Sequence, residues 1–186
     1  MVVELVRNKL VKYDDPILTS PTEDFDFNNP PEDPAKLAQE MVETMFDLKG
    51  LGLSAVQIGK HYNVFCMKSN PAFVCFNPRI VDAATVTETM EEGCLSFPAI
   101  HVNIARPKAI KVRFQLPSGE TVTEKFAGMT ARIFCHEKMH CQGRVFFENL
   151  GRAALELQVR KAKKQGFDYN VGRLIVMATK SKANAG

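Results

Sequence analysis

The sequence predicts an α+β fold, and the order of its segments is the first reason. A helical segment comes first, a series of short β-forming runs follows, and further helical segments come after them. Separate runs of strands and helices are typical of α+β domains rather than of alternating α/β folds. The chain has 186 residues, enough to bury one sizeable core and few for two. We therefore expect a single domain over residues 1–186.

The first predicted helix covers residues 33–50. Asp33 can cap its N-terminus by accepting hydrogen bonds from free backbone N–H groups, and Pro34 suits the first helical position. Gly50 suits the left-handed residue that follows a helix end. Four apolar residues recur at helical spacing and are expected to face the core: Leu37, Met41, Met45 and Leu48.

The middle of the chain predicts a series of short strands separated by turns. The last two of these runs flank the turn sequence PSGE, so we expect them to form a hairpin. The predicted strands cover residues 63–68, 73–83, 84–90, 101–105, 110–116 and 121–127.

Two further helices and a late strand are predicted toward the C-terminus. The helices cover 129–142, with Gly143 ending the segment, and 152–165; the strand covers 171–178. Residues 151–186 contain eight Lys and Arg but two acids, a net charge of +6 in a chain of +3. This basic C-terminal extension is a candidate nucleic-acid contact, and a solvated helix face is the alternative.

Composition narrows the class of protein. Hydrophobic residues make up 45% of the chain and charged residues 24%, which is ordinary for a globular domain. No apolar stretch reaches the ~20 residues of a membrane helix, and the N-terminal segment does not resemble a signal peptide. The five cysteines, an odd number, predict free thiols in a reducing compartment.

The motif HEKMH at 136–140 is the strongest chemical signal. Residues four apart lie on one face of a helix, so His136 and His140 can bind one metal ion. Glu137 is rotated from them by about 100°, which suits a general base that contacts a water. The same pattern also arises by chance on exposed helices. A third protein ligand is needed to distinguish a metal site from a chance match.

The third ligand is not obvious from the motif alone. Phe146 occupies the position at which the longer motif HExxHxxGxxH has its third histidine. Cys135 and Cys141 adjoin the histidines but point off their face. Cys94 is the better candidate, because Gly93 before it allows close approach of the backbone. A coordinated thiol would be deprotonated and would add a negative charge.

A glycine-rich stretch, GLGLSAVQIG at 50–59, precedes the predicted strands. It follows a helix and precedes a strand, which is the wrong context for a dinucleotide-binding fingerprint. We interpret it as backbone that approaches a ligand closely, with Gln57 donating a hydrogen bond. A helix end followed by a turn is the alternative.

These three stretches together resemble the motifs of the peptide deformylase family. GLGLSAVQ resembles the first motif, GxGxAAxQ; EGCLS at 92–96 matches the second; and HEKMH resembles the third, QHExDH. The resemblance covers roughly residues 5–150. It implies an α+β fold in which antiparallel sheets surround the HExxH helix, with an N-terminal helix and, here, a C-terminal extension of helix and strand.

The resemblance also implies an activity, the removal of the formyl group from N-formylmethionine at the start of new chains. Cys94, His136 and His140 would bind one divalent metal, usually Fe²⁺ in the family and replaceable by Zn²⁺, Ni²⁺ or Co²⁺. The metal and Glu137 would together activate a water.

Further catalytic and substrate-binding residues follow from the same resemblance. The Gln57 side chain and the Leu95 backbone N–H would stabilise the developing oxyanion. The methionine side chain needs an apolar slot, and the backbone around Gly52 would pair with the peptide as an added strand. Glu92 and Arg106 match positions at the polar edge of that slot.

Ile133 and Met129, three and seven positions before His136, share its helix face and are candidate walls of the slot, with ordinary core packing as the alternative. Leu51 is a third candidate wall. The complete set of expected substrate-binding residues is Leu51, Gly52, Glu92, Gly93, Arg106, Met129 and Ile133.

Four positions depart from the family motifs. Ser54 replaces Ala, Cys135 replaces Gln, Met139 replaces Asp and Cys141 replaces Leu. The catalytic residues are all present, so we expect an active enzyme. Loss of the acid beside His140 is expected to weaken metal binding by ~10–100-fold.

Two alternatives stay open at this stage. A zinc endopeptidase would need a third ligand downstream, for which Glu148 and Glu156 are the candidates, and it would leave EGCLS and GLGLSAVQ unexplained. A degenerate relative could bind metal or formyl-peptides without turnover.

The expected partners and compartment follow from the same resemblance. We expect a monomer that binds N-formylmethionyl peptides, with the ribosome as a further partner of the basic extension and no membrane contact. The compartment would be the cytoplasm of a bacterium or of a phage-infected host, or else a plastid or mitochondrion.

Overall fold

The structure is a computed structural model that describes residues 9–185. Residues 5–8, where the family resemblance begins, lie outside this range. Four α-helices occur among the described residues: α1 (Pro34–Asp47), α2 (Gly128–Cys141), α3 (Arg152–Lys164) and α4 (Val171–Ala183). Seven strands accompany them: β1 (Gly52–Ser54), β2 (Val64–Met67), β3 (Phe73–Ala83), β4 (Thr87–Cys94), β5 (Phe97–Pro107), β6 (Ala109–Gln115) and β7 (Thr121–Ala127).

The strands form two antiparallel sheets. The larger has the order β1-β2-β3-β6-β7, and the smaller is the β4–β5 hairpin. Helix α2 packs against β1, β2, β6 and β7 of the larger sheet and against β5 of the smaller one. The predicted α+β class and the central position of the HExxH helix are therefore confirmed. None of the described helices is both long and apolar enough to cross a bilayer.

Helix α1 forms where the sequence predicts it, but its C-terminal end differs. Asp33 accepts hydrogen bonds from the backbone N–H groups of Ala35 and Lys36, as expected for the N-cap. The left-handed residue after the helix is Lys49, with φ of 56°, and not Gly50. A Cβ at Gly50 would lie 2.8 Å from Leu95 Cδ1, so a larger residue there would require the Leu95 side chain to move. Of the four predicted core residues, Leu37, Met41 and Met45 are fully buried and Leu48 is half-buried.

The strand predicted at 171–178 is wrong, because this segment is the first part of helix α4. Asn170 caps the helix by accepting a hydrogen bond from the backbone N–H of Arg173. The C-terminal extension is thus a pair of helices. The buried residues of α4 recur at the spacing of a helix rather than of a strand: Leu174, Met177, Ala178 and Ser181.

Glu148 links helix α4 to the segment that follows helix α2 through hydrogen bonds. This carboxylate is 3% exposed and accepts hydrogen bonds from Arg144 and from the Ser181 hydroxyl. Ser181 in turn accepts a hydrogen bond from the backbone N–H of Val145. Burial opposes ionisation of Glu148, but the hydrogen bonds from Arg144 and Ser181 outweigh it and lower the pKa of the carboxyl.

We predict that Glu148→Gln lowers the free energy of unfolding by about 1–2 kcal/mol at neutral pH, because a charged hydrogen-bond acceptor is lost. The folded pKa lies below the ordinary value of 4.5, so this contribution is complete above that value. It disappears as the pH falls through the folded pKa. Urea denaturation at neutral pH and at about pH 3 tests this, since the difference between variant and wild type should shrink in acid.

Glu156→Gln is the matched control for this prediction. It removes a partly exposed carboxylate paired with the exposed Arg152 on helix α3, so its effect should stay below about 0.5 kcal/mol. An equal loss of stability for Glu148→Gln at both pH values would contradict the proposed role of the ionised carboxylate.

Candidate active site

The two sheets and helix α2 bring three candidate metal-binding side chains together. His136 and His140 lie one turn apart on α2, with their ring centroids 5.3 Å apart, and Cys94 ends strand β4. The Cys94 Sγ lies 3.2 Å from His140 Nε2, and the ligand atoms of all three residues lie within 4.8 Å of one another. A thiol and two imidazoles are a donor set suited to Zn²⁺ or Fe²⁺.

The buried carboxylate of Glu92 orients the first histidine. Its Oε2 lies 2.9 Å from His136 Nδ1, which leaves the other ring nitrogen of His136 to face Cys94. Arg106 binds both Glu92 oxygens at 2.9 Å, and Arg132 donates to Oε1 at 2.8 Å. Burial alone would raise the pKa of Glu92, but hydrogen bonds from His136 and Arg106 lower it to about 2. The carboxylate therefore stays ionised at neutral pH.

The second histidine has a less polar surrounding. His140 is 1% exposed, and its Nδ1 has no hydrogen-bond partner among residues 9–185. Burial, with the nearby positive charge of His136 and Arg106, holds the pKa of His140 well below its ordinary value. The ring is therefore neutral, which is the form that binds a metal.

Glu137 lies beside the three candidate ligands, against strand β1. The Ser54 hydroxyl lies 2.8 Å from Glu137 Oε2, and burial raises the pKa of the Glu137 carboxyl. Gly52 leaves the space that this carboxylate occupies, because a Cβ there would lie 2.4 Å from Glu137 Oε1. The first glycine-rich motif thus positions the predicted base by both a hydrogen bond and the absence of a side chain.

Gln57 lies where the sequence predicts an oxyanion donor. Its Nε2 lies 3.6 Å from Cys94 Sγ and 3.0 Å from the Ser96 hydroxyl, and its Oε1 accepts a hydrogen bond from the Ser54 backbone N–H. These contacts fix the amide so that its NH₂ group points toward Cys94. Leu95 follows directly, at the turn between β4 and β5.

A cavity of about 370 Å³ opens above this group of residues. It is lined by every predicted catalytic residue and by all of the predicted substrate-binding residues except Arg106. Arg106 lies along another face of α2 and contacts the site through Glu92. Arg132 also lines the cavity, although it was not among the predicted site residues. Its position one turn before His136 on the same helix is the sequence feature that could have indicated it. The predicted site residues in the lining are Leu51, Gly52, Gln57, Glu92, Gly93, Cys94, Leu95, Met129, Ile133, His136 and Glu137.

The residues proposed for an endopeptidase do not reach this group. Glu148 pairs with Arg144, and Glu156 pairs with Arg152 on helix α3. Phe146 packs on the ring of His136, with centroids 5.5 Å apart. Among the described residues, none downstream of HEKMH belongs to the group that could hold a metal, so an endopeptidase finds no third ligand there.

The substitutions on α2 lie away from the candidate ligands. The Met139 Sδ lies 3.0 Å from Arg106 Nη1, so the side chain that replaces the family aspartate contacts Arg106 and not His140. Cys135 and Cys141 are buried outside the ligand group, as expected from their positions. All five cysteines are free thiols, which confirms that prediction.

Comparison with known proteins identifies the family. The polypeptide deformylase family model matches residues 7–155. A peptide deformylase from Thermotoga neapolitana is 39% identical over 153 residues, which cover 80% of this chain and 90% of the relative. The chloroplastic peptide deformylase 1B of rice is 37% identical over 156 residues, which cover 80% of this chain and 56% of that protein.

Solved structures agree with the sequence comparison. A peptide deformylase from Synechococcus elongatus, crystallised in complex with actinonin, superposes with a TM-score of 0.76 and 26% identity, covering 87% of each chain. A probable peptide deformylase from Synechococcus phage S-SSM7 gives 0.71 and 30%, covering 76% of this chain and 99% of that one. This chain belongs to the peptide deformylase family, whose members remove the formyl group from newly made polypeptides.

Proposed function

We propose that this deformylase hydrolyses the formyl group of N-formylmethionyl peptides with Glu137 as general base. Cys94, His136 and His140 would hold one divalent metal, with Fe²⁺ as the first candidate and Zn²⁺, Ni²⁺ or Co²⁺ as replacements. The observation that carries the proposal is the convergence of these three donors beside a buried carboxylate, where Cys94, His136 and Glu137 line a partly apolar cavity.

The three donors fit a metal of this class. One thiolate and two imidazoles suit borderline divalent ions once His136, which carries a positive charge without the metal, gives up its proton on binding. The ionised Glu92 supports His136 as metal-bound histidines usually require. When bound, the metal supplies a Lewis acid that polarises the formyl carbonyl and makes water more acidic.

Glu137 performs the proton transfers in the proposed reaction. Its carboxylate takes a proton from the attacking water as that water adds to the formyl carbon, and then delivers the proton to the departing amine. The products are formate and a free N-terminus. Burial raises the pKa of Glu137, which brings it closer to the range in which one group can both accept and return a proton. Ser54 holds the carboxylate in place.

The oxyanion and the peptide would be held by neighbouring groups. The Gln57 NH₂ and the Leu95 backbone N–H are the proposed donors to the developing negative charge. The peptide would add as a strand beside Gly52. The methionine side chain would enter between the apolar groups of the cavity, Leu51, Met129 and Ile133. Because Arg106 does not line this cavity, we assign it the support of Glu92 instead.

The first test is formate release from formyl-Met-Ala-Ser by protein loaded anaerobically with Fe²⁺ or Ni²⁺. We predict turnover by the wild type and a loss of ~10²–10⁴-fold in kcat for Glu137→Gln, because the variant keeps the shape of the side chain but cannot accept the proton. Metal content, measured on the same samples, should be equal. Bound formyl-peptide without formate release by the metal-loaded wild type would instead support the non-catalytic alternative.

We also predict that Ser54→Ala lowers kcat by ~3–10-fold with little change in KM or metal content. The variant removes the hydroxyl that lies 2.8 Å from the Glu137 carboxylate, and one hydrogen bond to a charged group contributes about 1.5–3 kcal/mol at most. Alanine also fits the buried site, so folding should not be impaired. Steady-state kinetics on formyl-Met-Ala-Ser test this.

Ser181→Ala is the control for this substitution. Ser181 is also fully buried and also hydrogen-bonds to a carboxylate, but that carboxylate is Glu148, outside the catalytic cavity. It should lower thermal stability and leave kcat unchanged. An equal fall in kcat for both variants would attribute the effect of Ser54 to general destabilisation.

The basic extension suits contact with the ribosome. All eight Lys and Arg of residues 151–186 are exposed. Three of them pair with acids: Arg152 with Glu156, Lys163 with Asp168 and Arg173 with Asp14. The other five form no ion pair within residues 9–185 and are available to phosphate groups: Arg160, Lys161, Lys164, Lys180 and Lys182.

We predict that the protein co-sediments with ribosomes and that the bound fraction falls steeply as salt increases. Reversal of three charges on α3, at Arg160, Lys161 and Lys164, to Glu should abolish binding and spare turnover of short peptides. The same reversal at three exposed lysines outside the extension, Lys108, Lys111 and Lys125, is the charge-matched control. Equal loss of binding in both triple variants would show that ribosome binding depends on the total charge of the protein and not on the extension.

A further inference from the structure

A second cavity, of about 590 Å³, lies along a different face of helix α2 and shares no lining residue with the catalytic cavity. Its lining includes all three α2 residues that depart from the family motif, Cys135, Met139 and Cys141. Arg106 and Lys138 line the same cavity. The departures are therefore gathered at one place, and that place is rich in positive charge.

The Arg106 guanidinium is the central group of this cavity. It is buried, and it uses Nε and Nη2 to bind Glu92. Its Nη1 donates to the thioether of Met139, which is a weak acceptor. A guanidinium has five N–H donors, and the described residues provide acceptors for three of those of Arg106.

The positive charge around Arg106 exceeds the negative charge that faces it. Glu92 is shared between Arg106 and Arg132, so one carboxylate serves two buried guanidiniums and also the ring of His136. The other contacts of Arg132 are the backbone carbonyls of Ile104 and Glu88, which carry no formal charge. Of the two guanidinium charges, one is thus left without a carboxylate of its own among the contacts of this cluster.

The rest of the cavity adds to this excess. Lys138 contacts the Asn63 amide oxygen at 3.3 Å and forms no ion pair with a carboxylate in the described part of the chain. Arg144, which also lines the cavity, is paired with Glu148. The one acidic residue in the lining, Asp24, is already bound to Arg79 at 2.6 Å.

We propose that this cavity binds a small carboxylate anion at Arg106 and Lys138. A planar carboxylate matches the guanidinium fork, and the low-dielectric surroundings strengthen such a pair. The side chain at position 139 already touches Arg106, and the family motif has an aspartate there. A bound anion therefore supplies from solution the charge that Met139 lacks, and it contacts the group that supports Glu92 and His136.

Methyl NMR of the Zn²⁺-loaded protein tests the site directly, with acetate as the probe. The chain has eight methionines; Met139 reports on this cavity and Met129 on the catalytic one. Acetate replaces chloride at constant ionic strength, and Met139→Leu assigns the signal. We expect a saturable shift of the Met139 methyl. Movement of the Met129 methyl alone would place acetate at the catalytic cavity and overturn the proposal, as would no movement of either.

Two matched variants test the charge argument. Met139→Asp supplies the carboxylate, whereas Met139→Asn has the same shape without the charge. At ten times its half-saturating concentration, acetate should raise the Tm of the wild type and of Met139→Asn by about 3–6 °C relative to chloride. Met139→Asp should show no such rise.

An equal rise for Met139→Asp would overturn the proposal, and so would a response to phosphate with none to acetate. The NMR titration needs only the wild type and the leucine variant, so it still decides if the polar variants fail to fold.

Discussion

The ionised Glu92, buried among His136, Arg106 and Arg132, is the interaction on which the rest of the site depends. It joins strand β4 to helix α2 and to strand β5 through charged hydrogen bonds. Removal of such a carboxylate leaves buried guanidiniums without a counter-charge, at a cost of about 3–5 kcal/mol. Because Cys94 lies two residues further along the same strand, one hairpin supplies both a candidate metal ligand and the support of a second candidate, His136.

The part of the site that could be predicted from sequence is the part that local geometry fixes. The spacing of His136 and His140 on a helix determines that they share a face, whatever the rest of the chain does. Cys94 comes from a distant hairpin, so its place needed the glycine before it and the likeness to the family. Arg132 was missed because the partner that gives it a role, Glu92, is forty positions away and meets it only through folding.

The errors in the fold have the same physical origin. Residues 171–178 are mostly apolar and include three β-branched residues, and such a short run does not separate the period of a strand from that of a helix. The Asn170 cap and the burial of Leu174 and Ser181 decide for the helix, and the packing of α4 against the body of the protein cannot be seen in the sequence. At the end of α1, Lys49 takes the left-handed conformation that was expected of Gly50, and Gly50 instead lies close to the Leu95 side chain.

Cys135 and Cys141 adjoin the two histidines in sequence, but they would not compete with Cys94 for a bound metal. A thiol has to lose its proton before it can act as a ligand. Burial raises the pKa of Cys141 to about 12 and also raises that of Cys135, so both stay protonated at neutral pH. Cys94 is only half-buried and lies 3.2 Å from His140 Nε2. Helix geometry turns Cys135 and Cys141 away from the catalytic cavity and burial keeps them protonated, so the altered motif keeps a single set of candidate ligands.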